Sequence, residues 1–121
     1  MGLDFTPGVL NAIKERNPHL ENTDQVKQLQ RQALETFVEL SKETNLPLNV
    51  HSRSAGRPTI QFLHEKGATK VLMHCFDGSA KVVKEGLKYG YYFSIPSNVV
   101  RSPQLRQLIE VVPMNRILLE T

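Results

Sequence analysis

The 121-residue chain has one cysteine, Cys75, so no internal disulfide can form. That excludes a small cystine-stapled secreted scaffold and fits a reducing compartment. Long apolar runs are missing too, since none approaches the ~20 residues that a membrane-spanning helix needs. The start has no basic stretch leading into an apolar one, so no secretory leader is read there. No asparagine opens an N-x-Ser/Thr site. Together these absences lead us to expect an intracellular protein, cytoplasmic or nuclear, with no membrane partner. Met1-Gly2-Leu3-Asp4-Phe5-Thr6 does match the pattern for N-myristoylation, but so short a pattern is common by chance, and Gly2 and Asp4 find another explanation below. A dense tract of one charge is also lacking. Fifteen basic and 12 acidic residues leave a net charge of +3, which permits an anionic partner without demanding one.

What is present reads as an ordinary globular chain, 40% hydrophobic and 22% charged, and that composition argues against disorder. Four short apolar runs stand out, at residues 48–51, 70–74, 91–95 and 116–120. Each is continuous and bounded by Pro, Gly or polar residues, as strands covered on both faces are. Helical patterns lie between them. In residues 23–45 the positions Val26, Leu29, Ala33, Phe37 and Leu40 predict one apolar helix face, with Thr23 or Asp24 as N-cap and Pro47 beyond the end. Pro58 fits the first turn of a second helix that Gly67 would stop. Ser79 would cap a third, ahead of Gly90. Pro103 would open a fourth, with Pro113 after it. Residues 6–22, carrying Pro7, Gly8, Asn17 and Pro18, are expected to be a long surface loop with one helical turn near residues 9–14. Strand–helix alternation of this kind predicts an α/β fold with a parallel sheet and right-handed crossovers.

In parallel barrels the chemistry sits at the carboxyl ends of strands. Three of the four predicted strands end in a suitable side chain: His51, His74 and Glu120. A buried strand gains nothing from a terminal imidazole that lacks a partner. Neighbouring parallel strands lie about 4.8 Å apart, so two side chains at equivalent ends can share one ion. Imidazoles suit Zn, Mn, Fe or Ni. Behind His51, Ser52-Arg53-Ser54-Ala55-Gly56-Arg57-Pro58 offers guanidinium forks, hydroxyls and a helix start to an anion. His19 and His64 read as surface residues. Strand alternation would turn Cys75 away from His74's face, which suggests a structural thiol. Asp77-Gly78 reads as a tight turn, and Tyr91, Tyr92 and Phe93 as packing.

Four segments in order, Gly2-Leu3-Asp4-Phe5, Asn49-Val50-His51-Ser52-Arg53, His74-Cys75-Phe76-Asp77-Gly78 and Leu118-Leu119-Glu120-Thr121, resemble the signature segments of the TatD family of metal-dependent deoxyribonucleases. The run from Val50 through His51-Ser52-Arg53-Ser54-Ala55-Gly56-Arg57-Pro58 to Thr59 is most similar to the TatD-like 3 branch. The resemblance covers essentially the whole chain and implies a partial (β/α)8 TIM-type barrel, about half of one, with four strands and four helices. It implies His51 and His74 as metal ligands and Arg53 as a contact to substrate phosphate. DNA would be the substrate, with two divalent ions (Mg, Mn or Zn) in a complete relative. The family's opening histidine-x-histidine pair has no counterpart here. Its bridging glutamate falls two residues before the position of Gly2, and its last aspartate falls directly after that of Thr121. We therefore expect residues 1–121 to be one partial domain truncated at both ends. It would hold at most one ion, weakly, would be inactive by itself, and would be prone to self-association through open barrel edges. Two alternatives remain: a barrel hydrolase of a non-nucleic substrate, and a non-catalytic product acting only by binding.

Overall fold

The computed structural model describes residues 1–120. Five parallel strands form one sheet in sequential order: β1 (Gly2–Asp4), β2 (Leu48–Arg53), β3 (Val71–His74), β4 (Tyr92–Ile95) and β5 (Ile117–Leu119). Five α-helices connect them: α1 (Pro7–Arg16), α2 (Thr23–Thr44), α3 (Gly56–Glu65), α4 (Ala80–Lys88) and α5 (Pro103–Val111). The four expected strands and four expected helices are all present. The expected count falls short by one of each, β1 and α1.

Both omissions have a local cause. Only Gly2, Leu3 and Asp4 form β1, too few residues for an alternation to register. In the stretch expected to be a loop, Pro7 is a first-turn helical residue rather than a breaker, because its missing N–H would be unpaired there anyway and its φ is already helical. The helix α1 buries only Leu10, so it carries almost no apolar stripe.

The interior lies between the helices and one face of the sheet. Along β2, Leu48, Val50 and Ser52 are buried, whereas Asn49 and Arg53 are exposed and His51 is half-buried. Leu3, Met73 and Phe93 continue the covered face on neighbouring strands and meet Leu34 and Val38 of α2, Ile60 of α3 and Val83 of α4. The strands are thus covered on one face rather than two, and the concave face is open. At its lower end Leu72, Tyr92 and Leu118 line an apolar hollow with Arg116, whose guanidinium lies 4.8 Å from the Tyr92 ring centroid. Tyr92 faces this open side, while Tyr91 and Phe93 are fully buried.

The helix α2 packs on a different face from the one the apolar spacing predicts. Val26, Leu34 and Val38 are buried, while Leu29, Phe37 and Leu40 are 40–49% exposed. The gap in the buried row is filled by Gln30. Its side-chain amide accepts from the Asp4 N–H (2.8 Å) and donates to the Asp4 carbonyl (3.0 Å). It thereby saturates part of the β1 edge, whose backbone groups need partners. The N-cap is Asn22 rather than Thr23 or Asp24. Its side chain accepts from the N–H groups of Asp24 and Gln25, each at 3.0 Å. Asn45 closes the helix in the left-handed region at φ 58°.

Tyr91 supplies a pH test of this packing. Its hydroxyl donates to the Ala68 carbonyl at 3.1 Å, and burial pushes its pKa up to about 12 from 10.0. A raised folded-state pKa means full stabilisation below the unfolded value and loss as pH rises through the folded one. We expect stability to fall between pH 10 and about 12, and Tyr91→Phe to flatten that slope at a cost near 1 kcal/mol at neutral pH. Urea midpoints at pH 7, 10 and 11.5 would show it. An unchanged slope in the variant would contradict this reading.

Candidate functional site

All five strands run in one direction, so their carboxyl ends share one rim. On this rim His51 pairs in register with His74, and Gly2 with His51. The imidazoles therefore stand at equivalent places on adjacent strands, as their positions in the chain predicted, and both rings are 43% exposed on the open face.

Each ring has a carboxylate beside it. Nε2 of His51 lies 3.4 Å from Oδ2 of Asp4. The Asp4 Oδ1 accepts from the Thr6 hydroxyl (2.6 Å) and the Thr6 N–H (2.9 Å). Burial pushes the Asp4 carboxyl up, but the Thr6 and His51 contacts outweigh it and hold its pKa below the usual value. Nδ1 of His74 lies 3.0 Å from Oε1 of Glu120. The same oxygen accepts from the Cys75 N–H at 2.8 Å and from the Ser94 hydroxyl. Glu120 was recognisable as a strand-end residue. The pairing role of Asp4 was not, nor was that of Ser94, which alternation from Tyr92 places on the open face. The resemblance in Gly2-Leu3-Asp4-Phe5 was the signal for Asp4, although it assigned no role. Thr121, the last residue of the fourth resembling segment, lies outside the described residues.

Arg53 follows His51 by two positions, so it projects from the same face of β2. Both line a cleft of about 350 Å³ with Cys75, Asp77 and Asn98. Cys75 is exposed there, not set aside as a structural thiol. The chain leaves β3 through Cys75 at φ 45°, which ends strand alternation at that residue. Partial desolvation, then the charges of Glu120 and Asp77, raise the thiol pKa despite Arg53. A thiol held protonated is a poor nucleophile. His19 and His64 are exposed as expected, and His64 stacks on Tyr89 with ring centroids 3.6 Å apart.

The donor chemistry fits a divalent ion in part. The carboxylate contacts use Nε2 of His51 and Nδ1 of His74, which leaves Nδ1 of His51 and Nε2 of His74 outside them. Two imidazole nitrogens suit Zn²⁺ or Mn²⁺ better than Mg²⁺, which requires oxygen. Among the described residues no group of three or more His, Cys, Asp or Glu side chains is placed to hold a metal. A zinc site takes three or four protein ligands, so two imidazoles would make up only part of one.

A parallel α/β sheet whose polar side chains gather on the carboxyl rim has the architecture of a (β/α)-barrel enzyme. The chain matches the TatD related DNase family over residues 1–121, and it belongs to that family. It is 47% identical to human Deoxyribonuclease TATDN3 and 50% identical to mouse TATDN3, in each case over all of its own 121 residues. Bacillus subtilis YabD, described as a metal-dependent hydrolase, is 34% identical over 78% of this chain. The chain spans 40% of the human protein's length and 37% of the mouse protein's. Among solved structures, Escherichia coli YjjV, a TatD homologue, superposes on all of the chain with a TM-score of 0.74 at 23% identity, and 56% of its own length is matched. A TatD-family hydrolase from Entamoeba histolytica gives 0.69, also over the whole chain. These two likenesses establish the fold, a partial TIM-type barrel.

Proposed function

We propose that residues 1–121 form one partial-barrel domain of an intracellular, divalent-metal-dependent deoxyribonuclease. In this reading His51 and His74 hold the metal, and Arg53 receives a DNA phosphate. The observation that carries it is the register pairing of His51 with His74, each beside a carboxylate, with Arg53 in the cleft that His51 lines. A bound divalent ion supplies an activated water and polarises the phosphodiester. The chain's own residues do the rest. His51 and His74 would hold the ion, Asp4 and Glu120 stand beside the two rings to orient them, and the Arg53 fork can grip two phosphate oxygens. A complete barrel would hold two ions (Mg, Mn or Zn). The chain by itself holds at most one, weakly, and is inactive.

The test is a chimera in which residues 1–121 replace the matching stretch of human TATDN3. Release of nucleotides from end-labelled single-stranded DNA, in Mg²⁺, Mn²⁺ or Zn²⁺, should appear in the chimera and not in the chain alone. A folded chimera that cleaves nothing would overturn the reading. Cleavage by the chain alone that His51→Ala and His74→Ala abolish would show that the two histidines suffice.

The open concave face favours self-association of the isolated chain. Its lower end carries Leu118 at 45% exposure and Tyr92 at 40%, between the outer strands β1, whose edge Gln30 covers in part, and β5, and open sheet edges recruit further strands. Sedimentation equilibrium at micromolar concentration should give a mass of at least a dimer. A monomer that melts cooperatively would contradict this.

A further inference from the structure

We infer that Gln30 and Thr6 are positioning residues: together they cradle Asp4 and aim its free carboxylate oxygen at His51. The inference deepens the proposed function, because it rests on His51 being a metal-holding residue. It starts from two side chains that do not do what their places in the chain suggest. Gln30 falls in the row of Val26, Leu34 and Val38, where an apolar side chain would pack. Thr6 is the N-cap residue of α1, yet its hydroxyl caps no helical N–H, the usual task of a threonine at that place. Both turn to Asp4 instead.

Gln30 fixes the backbone. The Phe5 N–H donates to the Arg53 carbonyl at 3.0 Å, and the Met1 carbonyl accepts from the His51 N–H at 2.7 Å. A parallel ladder bonds alternate residues to one neighbour, so the Asp4 N–H and carbonyl point away from β2. The Gln30 amide takes both, accepting from the first at 2.8 Å and donating to the second at 3.0 Å. These groups belong to the two peptide units on either side of the Asp4 Cα, so the direction of its Cβ is set. Lys27 and Arg31, on either side of Gln30 in α2, lie 5.7 and 5.8 Å from the Phe5 ring centroid and hold the helix to this strand end. Thr6 fixes the side chain. Its hydroxyl and its N–H both donate to Oδ1, at 2.6 and 2.9 Å, which leaves Oδ2 to face Nε2 of His51 at 3.4 Å. The Asp4 side chain is 19% exposed, so little water is at hand to replace a lost partner. If Gln30 only covered the strand edge, its replacement would cost stability and leave His51 unaffected.

The direct experiment is a double-mutant cycle on the chain, with Zn²⁺ titrated calorimetrically and the metal-free Asp4 side chain followed by NMR. Three-bond couplings to the Asp4 carboxyl carbon report its χ1, and NOEs from its β-protons to the His51 ring report the approach of the two groups. We expect one Asp4 rotamer and a clear NOE in the wild type. Gln30→Met keeps the length and suits an apolar row, and Thr6→Val loses only the hydroxyl, so both should stay folded by circular dichroism. Each should average the Asp4 couplings over rotamers and weaken zinc binding about 3–10-fold, below the 10–100-fold expected for Asp4→Ala. In the Asp4→Ala background the same substitutions should change zinc affinity less than about 2-fold, because residues acting through one another are not additive. Additive effects in the cycle, or a single Asp4 rotamer that survives both substitutions, would overturn the cradle. Thr6 is half-buried at the head of α1, so Thr6→Val provides the readout even if Gln30→Met unfolds the protein. The two hypotheses separate cleanly. If Asp4 is fixed by Gln30 and Thr6 but zinc does not bind, the metal reading fails and the cradle stands. If zinc binds but the Asp4 side chain is averaged in the wild type, the cradle fails and the metal reading stands.

Discussion

Phe93→Ala should destabilise the chain by about 3–5 kcal/mol, the range for truncating a buried aromatic. Phe93 is fully buried on the helix face of the central part of the sheet. Its ring meets Phe76 edge-on, with centroids 5.2 Å apart, an arrangement that adds about 0.5–1.5 kcal/mol to the burial itself. The helix α4 approaches so closely here that a Cβ at Gly86 would lie 2.8 Å from Cζ of Phe93 and 3.1 Å from Cδ1 of Ile60. The site cannot collapse easily around a lost ring, because backbone rather than a mobile side chain forms one wall, and that places the cost at the upper end. Small domains are stable by only about 5–15 kcal/mol, and a sheet covered on one face should sit low in that range. The variant should be largely unfolded at 37 °C. Urea titration followed by circular dichroism measures the effect directly. A loss below about 1 kcal/mol would mean that Phe93 does not sit in a packed interior.

The second large effect concerns function. In the chimera with human TATDN3, His51→Ala or His74→Ala should lower DNA hydrolysis by more than about 100-fold, because even the outer partners of metal-binding histidines are worth 10–100-fold. The two variants should resemble each other and the double variant, since groups that act as a unit are not additive. Arg53→Ala should behave differently. Its loss removes a charge-assisted contact worth about 1.5–3 kcal/mol. It should raise KM for DNA more than it lowers kcat, and Arg53→Lys should restore only part, since an ammonium cannot grip two oxygens. Thermal melts of each variant serve as the control, because all three side chains lie on the open face and contribute little to the packed interior. Full activity in either histidine variant would remove that residue from the site.

Much of this architecture was legible in the sequence, for identifiable reasons. The strands β2 to β5 announce themselves because each is a short apolar run between turn residues. His51, His74 and Glu120 stand out because a polar residue at the end of such a run has no packing purpose. The errors arose where one physical signal hid another. Gln30 occupies the buried row of α2 as a hydrogen-bonding clip on Asp4, so apolar spacing pointed to the neighbouring face through Leu29, Phe37 and Leu40. Pro7 and Gly8 looked like loop residues when one was a helix start. Asp4 lacked a strand long enough to reveal its direction. Cys75 escaped strand alternation through a left-handed backbone that no sequence rule forecasts for cysteine. Ser94 is invisible without coordinates, since nothing in Tyr92-Phe93-Ser94-Ile95 says that a glutamate from the next strand end will reach it.

The claim on which the functional reading depends is that His51 and His74, on adjacent strands, hold one divalent ion together. Calorimetric titration of Zn²⁺ into the 121-residue chain and its two single-alanine variants tests it most directly. The account predicts one weakly bound ion per chain, with affinity lost in both His51→Ala and His74→Ala. Binding that survives unchanged in either variant would show that the two imidazoles do not share an ion, and the metal centre would have to be sought elsewhere.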